Sequence, residues 1–512
     1  MPFDVSKALQ ERRGENFRLH TQLMNPQLVR VLKTIGFDRY YVRGEGCYLY
    51  DDRGERYLDL LAGFGVYALG RSHPGVKAAL HQAIDLDLPN MVQMDCALLP
   101  GLLAEQLVRR SHPGIERVYF CNSGAEAVET AMKFARHATG RTRILYCDHA
   151  FHGLTTGALA LNGGKEFRDR FGPLLPGCTQ IPFGDLEALR RELRRGDVAA
   201  LVIEPIQGKG VNEAPDDFWL AAQEACRSYK ALLVTDEVQT GLGRTGRFFA
   251  HEHWQLQPDI VTVSKALSGG YVPVGAVLCS DRVFSSVYST IDKALVHSTT
   301  FGRNQLAMVA GLATLQAFDE EGIVERADAT GEILRRGLVE MAGRYEMLHQ
   351  VRGKGLMIGL VFGQPTSRAL RRRWNMVERM RPALFSQAIV VPLFHRHRIL
   401  TQVAADGVNV VKLLPPLVAG PDEIDYFLSS LDDVLRDAHE GPGLLFEFGR
   451  TVARSSLRRG RTSPKGRGAA AAPVPDPTDS ADPTASADPA RVPERPSMSA
   501  APASASGLVS GR

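Results

Sequence analysis

The chain has 512 residues, with 61 Lys+Arg against 57 Asp+Glu, 44% hydrophobic residues and 23% charged ones. That length predicts two or three domains with a large core, and the balance of apolar and charged residues excludes wholesale disorder. A formal net charge of +4 is too small to mark a nucleic-acid protein, and no apolar run approaches the roughly 20 residues that span a bilayer.

The first residues, Met-Pro-Phe-Asp-Val-Ser-Lys, are followed by Glu11, Arg12, Arg13 and Glu15. They lack the continuous apolar stretch of a secretory signal, so the expected location is the cytoplasm. Residues 1–40 read as helix and loop. Next, Tyr48, Tyr50 and Tyr57 alternate with polar residues around Asp52-Arg53-Gly54, which predicts a small antiparallel unit. From about residue 100 the pattern becomes strand–helix–strand. The predicted strands are Val118–Cys121, Arg143–Cys147, Ala199–Glu204, Leu232–Asp236, Ile260–Ser264 and Gly275–Cys279. Several are continuous apolar runs, as expected of strands covered on both faces. A helix opening at Gly124 places Val128, Ala131, Met132 and Ala135 on one face. Alternating β and α predicts an α/β fold with a mainly parallel sheet. Residues from about 330 to 440 mix helix and short strand and read as a second, smaller domain. Beyond about residue 460 the chain is Pro, Ala, Ser and Asp with few large apolar residues, which predicts a disordered tail over 460–512. The seven cysteines are scattered and show no metal-ligand spacing, so they read as reduced, mostly buried residues, and no metal is expected.

Ligands of open α/β sheets bind beyond the carboxyl ends of the strands. Those ends carry Ser123-Gly124-Ala125 at a helix start, Phe151-His152-Gly153, Glu204, Asp236 with Gln239, and Lys265. A helix N-terminus opened by Ser-Gly suits a phosphate. A desolvated lysine has a lowered pKa and an amine free to attack a carbonyl. A fixed aspartate holds a proton on a pyridine nitrogen, and an aromatic ring stacks on a flat heterocycle. Phosphate, aldehyde, pyridine nitrogen and flat ring together describe pyridoxal 5'-phosphate. Gly241, Gly243 and Gly246 also spell a dinucleotide fingerprint, but neither the helix nor the later acidic residue that the fingerprint requires follows.

The stretches YVRGEGCYLYDDRGERYLD, FCNSGAEAVETAMKFAR, HAFHG, VIEPIQGKG, LLVTDEVQTGLGRTG, VSKALSGG, HSTTFGRNQLA and VRGKGLMIG resemble the class III pyridoxal-phosphate aminotransferases of fold type I, the ornithine, acetylornithine and 4-aminobutyrate group. The resemblance spans about residues 30–435. It implies a large domain over 86–330, and a smaller α+β domain built from residues 1–85 and 331–440. It implies that Lys265 bonds the cofactor aldehyde and then shuttles protons, that Asp236 pairs with the ring nitrogen, and that Gln239 bonds the ring hydroxyl. Ser123, Gly124 and Ala125 match phosphate-holding positions, Phe151 the stacking position, and Thr300 a threonine that reaches the neighbouring subunit's phosphate. That last match implies a homodimer with shared active sites. His152 and Glu204 complete the expected cofactor surroundings. The implied reaction is a ping-pong transfer of an amino group from a small amine or amino acid to a keto acid.

Two familiar positions differ. Many relatives pair a glutamate with an arginine where this chain has Lys209 and Lys412, which would repel each other or share an anion. Leu154 replaces an arginine common in acetylornithine-type enzymes. Lys209, Lys412 and Arg352 are therefore the candidate substrate residues. The competing readings are an aminomutase or racemase of the same fold and, third, a non-catalytic relative.

Overall fold

Apolar runs of five or six residues cannot leave one face in water, and the chain buries them in the middle of a sheet. The computed structural model describes residues 3–379, 383–405 and 407–440. Its central sheet has seven strands in the order Arg117–Cys121, Gly275–Cys279, Ile260–Val263, Leu232–Asp236, Val198–Ile203, Arg143–Cys147 and Cys178–Ile181. Gly275–Cys279 runs antiparallel to both of its neighbours, and every other pairing is parallel. All residues of Val198–Ile203, Leu232–Asp236 and Gly275–Cys279 are buried.

Successive residues of one strand enter opposite cores. Leu145, Leu201 and Leu233 join a cluster with Phe218 and Trp219 on one face. Ile144, Ala200 and Val234 join Val128, Ala131 and Phe134 on the other. This is the period-two geometry of a strand, with helices covering both sides. Six strands lie where the sequence predicts them, to within a residue at each end. The seventh, Cys178–Ile181, has no apolar run to announce it: it is an edge strand with only Ile181 buried.

The helix Gly124–Thr139 begins at Ser123, whose side-chain oxygen accepts from the Glu126 N–H at 3.2 Å. It ends at Gly140, where φ is 66°, with Arg136 and His137 in its last turn. Its predicted face is at most 2% exposed at Val128, Ala131, Met132 and Ala135.

Two four-stranded sheets complete the architecture. Tyr41–Glu45, Tyr48–Asp51 and Arg56–Asp59 form the expected antiparallel unit. Asp51 closes its turn by accepting from the N–H groups of Arg53 and Glu55, both at 2.9 Å. Ile399–Leu400 adds a parallel strand to Arg56–Asp59, so residues from both ends of the described chain share this sheet. The other sheet has the order Leu348–Lys354, Met357–Phe362, Val410–Leu413 and Gln402–Val403. Five of the seven cysteines are buried, with Cys178 intermediate and Cys96 exposed. The tail expected over 460–512 lies outside the described residues.

Candidate active site

Parallel strands share one carboxyl edge, and that edge opens on a cavity of about 570 Å³. Gly124, Ala125, Phe151, His152, Glu204, Lys209, Asp236, Gln239, Lys265 and Lys412 all line it. They arrive from five separate strand ends and from the later sheet, so folding assembles the constellation read from the sequence.

Asp236 ends its strand and is 4% exposed. A buried carboxylate needs hydrogen-bond donors, and this one has three. Val238 N–H donates to Oδ1 at 3.1 Å and the Thr262 hydroxyl donates to the same oxygen at 3.0 Å. His152 Nδ1 lies 2.7 Å from Oδ2. His152 is itself buried and oriented by its own N–H, which donates to Asn162 Oδ1 at 2.7 Å. Burial opposes its protonation most strongly, but the hydrogen bond and charge of Asp236 outweigh that and raise its pKa. His152 thus acts on the site through Asp236. Thr262 and Val238 carry no motif. The one sequence signal for Thr262 is a hydroxyl in the otherwise apolar run Ile260–Val263, which needs an internal partner.

Lys265 opens a short 3₁₀ turn, Lys265–Ser268, immediately after its strand. Its φ is +32°, a conformation that costs a side-chain-bearing residue on the order of 1–3 kcal/mol and persists where the surroundings impose it. Ser264 fixes the approach by donating its hydroxyl to Val274 O at 2.7 Å. The enclosed position lowers the Lys265 pKa through loss of water, while the charges of Asp236 and Glu204 oppose that shift. Glu204 shifts the other way: burial raises its pKa, against the charge of His152. Its carboxyl accepts from Gly208 N–H at 2.8 Å and Phe151 N–H at 3.1 Å, so it holds two cavity loops together.

At the helix end, Gly124 lies against Val238, and a Cβ there would come within 2.7 Å of the valine side chain. The first N–H groups of any helix find no carbonyl within it, and here the first two helical residues, Gly124 and Ala125, line the cavity. Gln239 donates from Nε2 to Phe64 O at 3.0 Å. Its Oε1 accepts from Lys412 Nζ at 3.3 Å, and Lys412 also donates to Gly208 O at 2.7 Å. Lys412 is 4% exposed. Burial, with Lys265 adding repulsion, pushes its amine down to about 7.

Lys209 behaves differently. It forms an ion pair with Glu166 and lies 3.7 Å from the Phe167 ring centroid. The repulsion that Lys412 meets therefore comes more from Lys265 than from Lys209. Arg352 donates to Gly210 O at 2.6 Å and Asn212 Oδ1 at 2.8 Å and does not line the cavity. Thr300 lines a separate cleft with Met91, Gln93 and Arg303, so in the single chain it does not meet Lys265.

Sequence reasoning passed over Phe64, Phe167 and Ala404, which also line the cavity. Phe64 sits in a loop with φ of +64°, pinned where Asp59 Oδ1 accepts from Leu61 N–H and Ala62 N–H. A phenylalanine between two glycines was its only signal.

The residues present fit pyridoxal phosphate. One cavity joins a helix N-terminus, a lysine amine of lowered pKa and a carboxylate at its floor. The histidine behind that carboxylate has a buried Nε2 without a partner. The family described as Aminotransferase class-III matches residues 34–435. The chain belongs to the class III aminotransferases. It is 36% identical over 399 residues to the acetylornithine aminotransferase of Methanopyrus kandleri, covering 77% of this chain and 94% of that one. It is 35% identical over 463 residues to Aminotransferase PigE of a Serratia species, covering 84% of this chain but only 54% of PigE, so it spans about half of that relative's length. Ornithine aminotransferase from Toxoplasma gondii superposes with a TM-score of 0.72 at 27% identity, covering 86% of this chain and 99% of that one. An omega transaminase from Pseudomonas jessenii gives 0.72 at 25%, covering 80% and 95%. The fold is that of the fold-type I transaminases, the cofactor is pyridoxal 5'-phosphate, and the activity is amino-group transfer rather than the aminomutase or racemase alternative.

Proposed function

We propose that this aminotransferase moves an amino group from a small amine or amino acid to a keto acid by a ping-pong mechanism, using Lys265 as its covalent and proton-transferring residue. The observation that carries this reading is the meeting of Lys265, Asp236 and the helix start at Gly124 and Ala125, capped by Ser123, around one cavity. Ser123, Gly124 and Ala125 would hold the phosphate, Phe151 the ring face, Gln239 the ring hydroxyl and Asp236 the ring nitrogen. The bound cofactor supplies an electron sink for the carbon that loses a proton.

The protein's own residues do the rest. Lys265, its pKa lowered by burial, accepts the proton from the substrate carbon. Three donors keep the Asp236 carboxylate in place, so its charge needs no rearrangement as the reaction proceeds. Phe151 and the buried His152 line the same cavity beside these groups.

The same reading places the enzyme in the cytoplasm as a homodimer, with Thr300 completing the partner's site. It divides the chain into residues 1–85 and 331–440 around the larger 86–330. A screen of amine donors against pyruvate and 2-oxoglutarate tests it. Turnover should require the keto acid. Conversion of an amine or amino acid without any keto acid would overturn the reading in favour of an aminomutase or racemase.

A further inference from the structure

Besides its charged groups, the wall of the cavity has an apolar arm of side chains. Phe64, Phe151, Leu154, Phe167, Val238 and Ala404 line it. Phe64 is 53% exposed and Leu154 58% exposed. Phe151 and Phe167 meet edge to face at 5.3 Å and make a rigid aromatic corner.

The cations near this arm are already engaged. Lys209 is paired with Glu166 and packed on the Phe167 ring. Lys412 is turned into the wall, toward Gly208 O and Gln239 Oε1. Arg352 is held on Gly210 O and Asn212 outside the cavity. Among the described residues no arginine lines the cavity, so this chain offers no planar fork to a carboxylate at the far end of a donor's chain. A carboxylate at the end of a donor chain would lose its water against phenylalanine and leucine, with Lys209 already paired to Glu166.

We propose that this arm selects a substrate with an uncharged, apolar chain: a primary amine, and the matching aldehyde or ketone, whose alkyl or aryl group carries no carboxylate. The proposal rests on the transaminase reading above. In the reaction the amine carbon gives up two electrons and becomes the carbonyl. Its nitrogen passes through the cofactor to the keto acid, whose carbonyl carbon takes up the same two electrons and becomes an amine carbon. Burying each further methylene contributes up to about fourfold in kcat/KM, the equivalent of about 0.8 kcal/mol.

The test compares two donors of equal length, hexylamine and 6-aminohexanoate, on the cofactor-loaded enzyme with pyruvate as acceptor. Propylamine and a panel of α-amino acids accompany them. The expected result is a preference of at least about tenfold in kcat/KM for hexylamine over 6-aminohexanoate, and for hexylamine over propylamine. Leu154 is exposed, so Leu154→Arg should fold normally and shrink the first ratio at least about fivefold by offering the carboxylate a partner. Equal or better turnover of 6-aminohexanoate, a first ratio untouched by Leu154→Arg, or turnover of α-amino acids without either alkylamine would overturn the proposal and leave the transaminase reading intact. A protein that binds cofactor but converts no donor of the series would overturn that underlying reading.

Discussion

Asp236 shows how much of a buried carboxylate's behaviour is set by its neighbours. Its three donors come from the residue two positions on, from the next strand and from a loop beyond a different strand. Asp236→Asn removes the charge but keeps the shape. It should lower kcat by roughly a hundredfold or more, measured by the steady-state rate with saturating donor and acceptor, because a preorganised charge in a dry site has no substitute. Lys412 gives a pH prediction with a definite sign. In the folded protein its amine titrates near 7, whereas in the unfolded chain a lysine holds its proton to about 10.4. Between those values the unfolded chain binds the extra proton, so stability rises with pH across the window, and below about 7 the full penalty applies. Lys412→Met removes the group from both states. Thermal unfolding of the two proteins should therefore shift in favour of the parent as pH rises from 7 to 10, and parallel curves would contradict the burial argument. Lys265, Asp236 and Ser123 were legible in the sequence because each closes a recognisable strand or opens a helix. Thr262, Val238 and Phe64 were not, because an isolated side chain carries no period or spacing. Their roles exist only once distant strands lie side by side.

At the scale of elements, legibility followed burial. Strands covered on both faces have to be apolar throughout, so Val198–Ile203 and Leu232–Asp236 announced themselves. The edge strand Cys178–Ile181 needs no such run and stayed hidden. The helix Gly124–Thr139 was read from its apolar face, and its start is also the expected phosphate end. Ser123 caps it through the Glu126 N–H. Ser123→Ala should lower stability by about 1 kcal/mol, seen in denaturant unfolding of the cofactor-free protein, and should also speed cofactor loss on dilution. A loss of stability without any change in cofactor retention would separate the cap from the phosphate site. Thr262→Val is the matching test on a strand. It keeps the shape and β-branching but removes one hydrogen bond to Asp236. A drop of roughly three- to tenfold in kcat, with little change in unfolding midpoint, is the expected outcome.

At the scale of the whole molecule, a single chain brings the proposed cofactor groups to one cavity except Ser123, which caps the helix beside it, and Thr300, which lines another cleft. A homodimer with shared sites makes a definite prediction here. Lys265→Ala and Thr300→Ala proteins, refolded or co-expressed together, form mixed dimers in which one site of two is intact. Activity should recover to roughly a quarter of the parent's, and no recovery would argue that each chain works alone. The Pro- and Ala-rich composition beyond about residue 460 predicts a segment unable to form a core, and truncation there should leave turnover unchanged. The substrate's identity was not legible at any scale from motifs, because it depends on which apolar side chains and engaged cations surround one cavity. The proposed chemistry turns on the cofactor being joined to Lys265. Borohydride reduction of the loaded enzyme, followed by peptide mapping, tests this most directly. The pyridoxyl group should be found on the peptide that contains Lys265, and an adduct on any other residue, or none, would contradict the account.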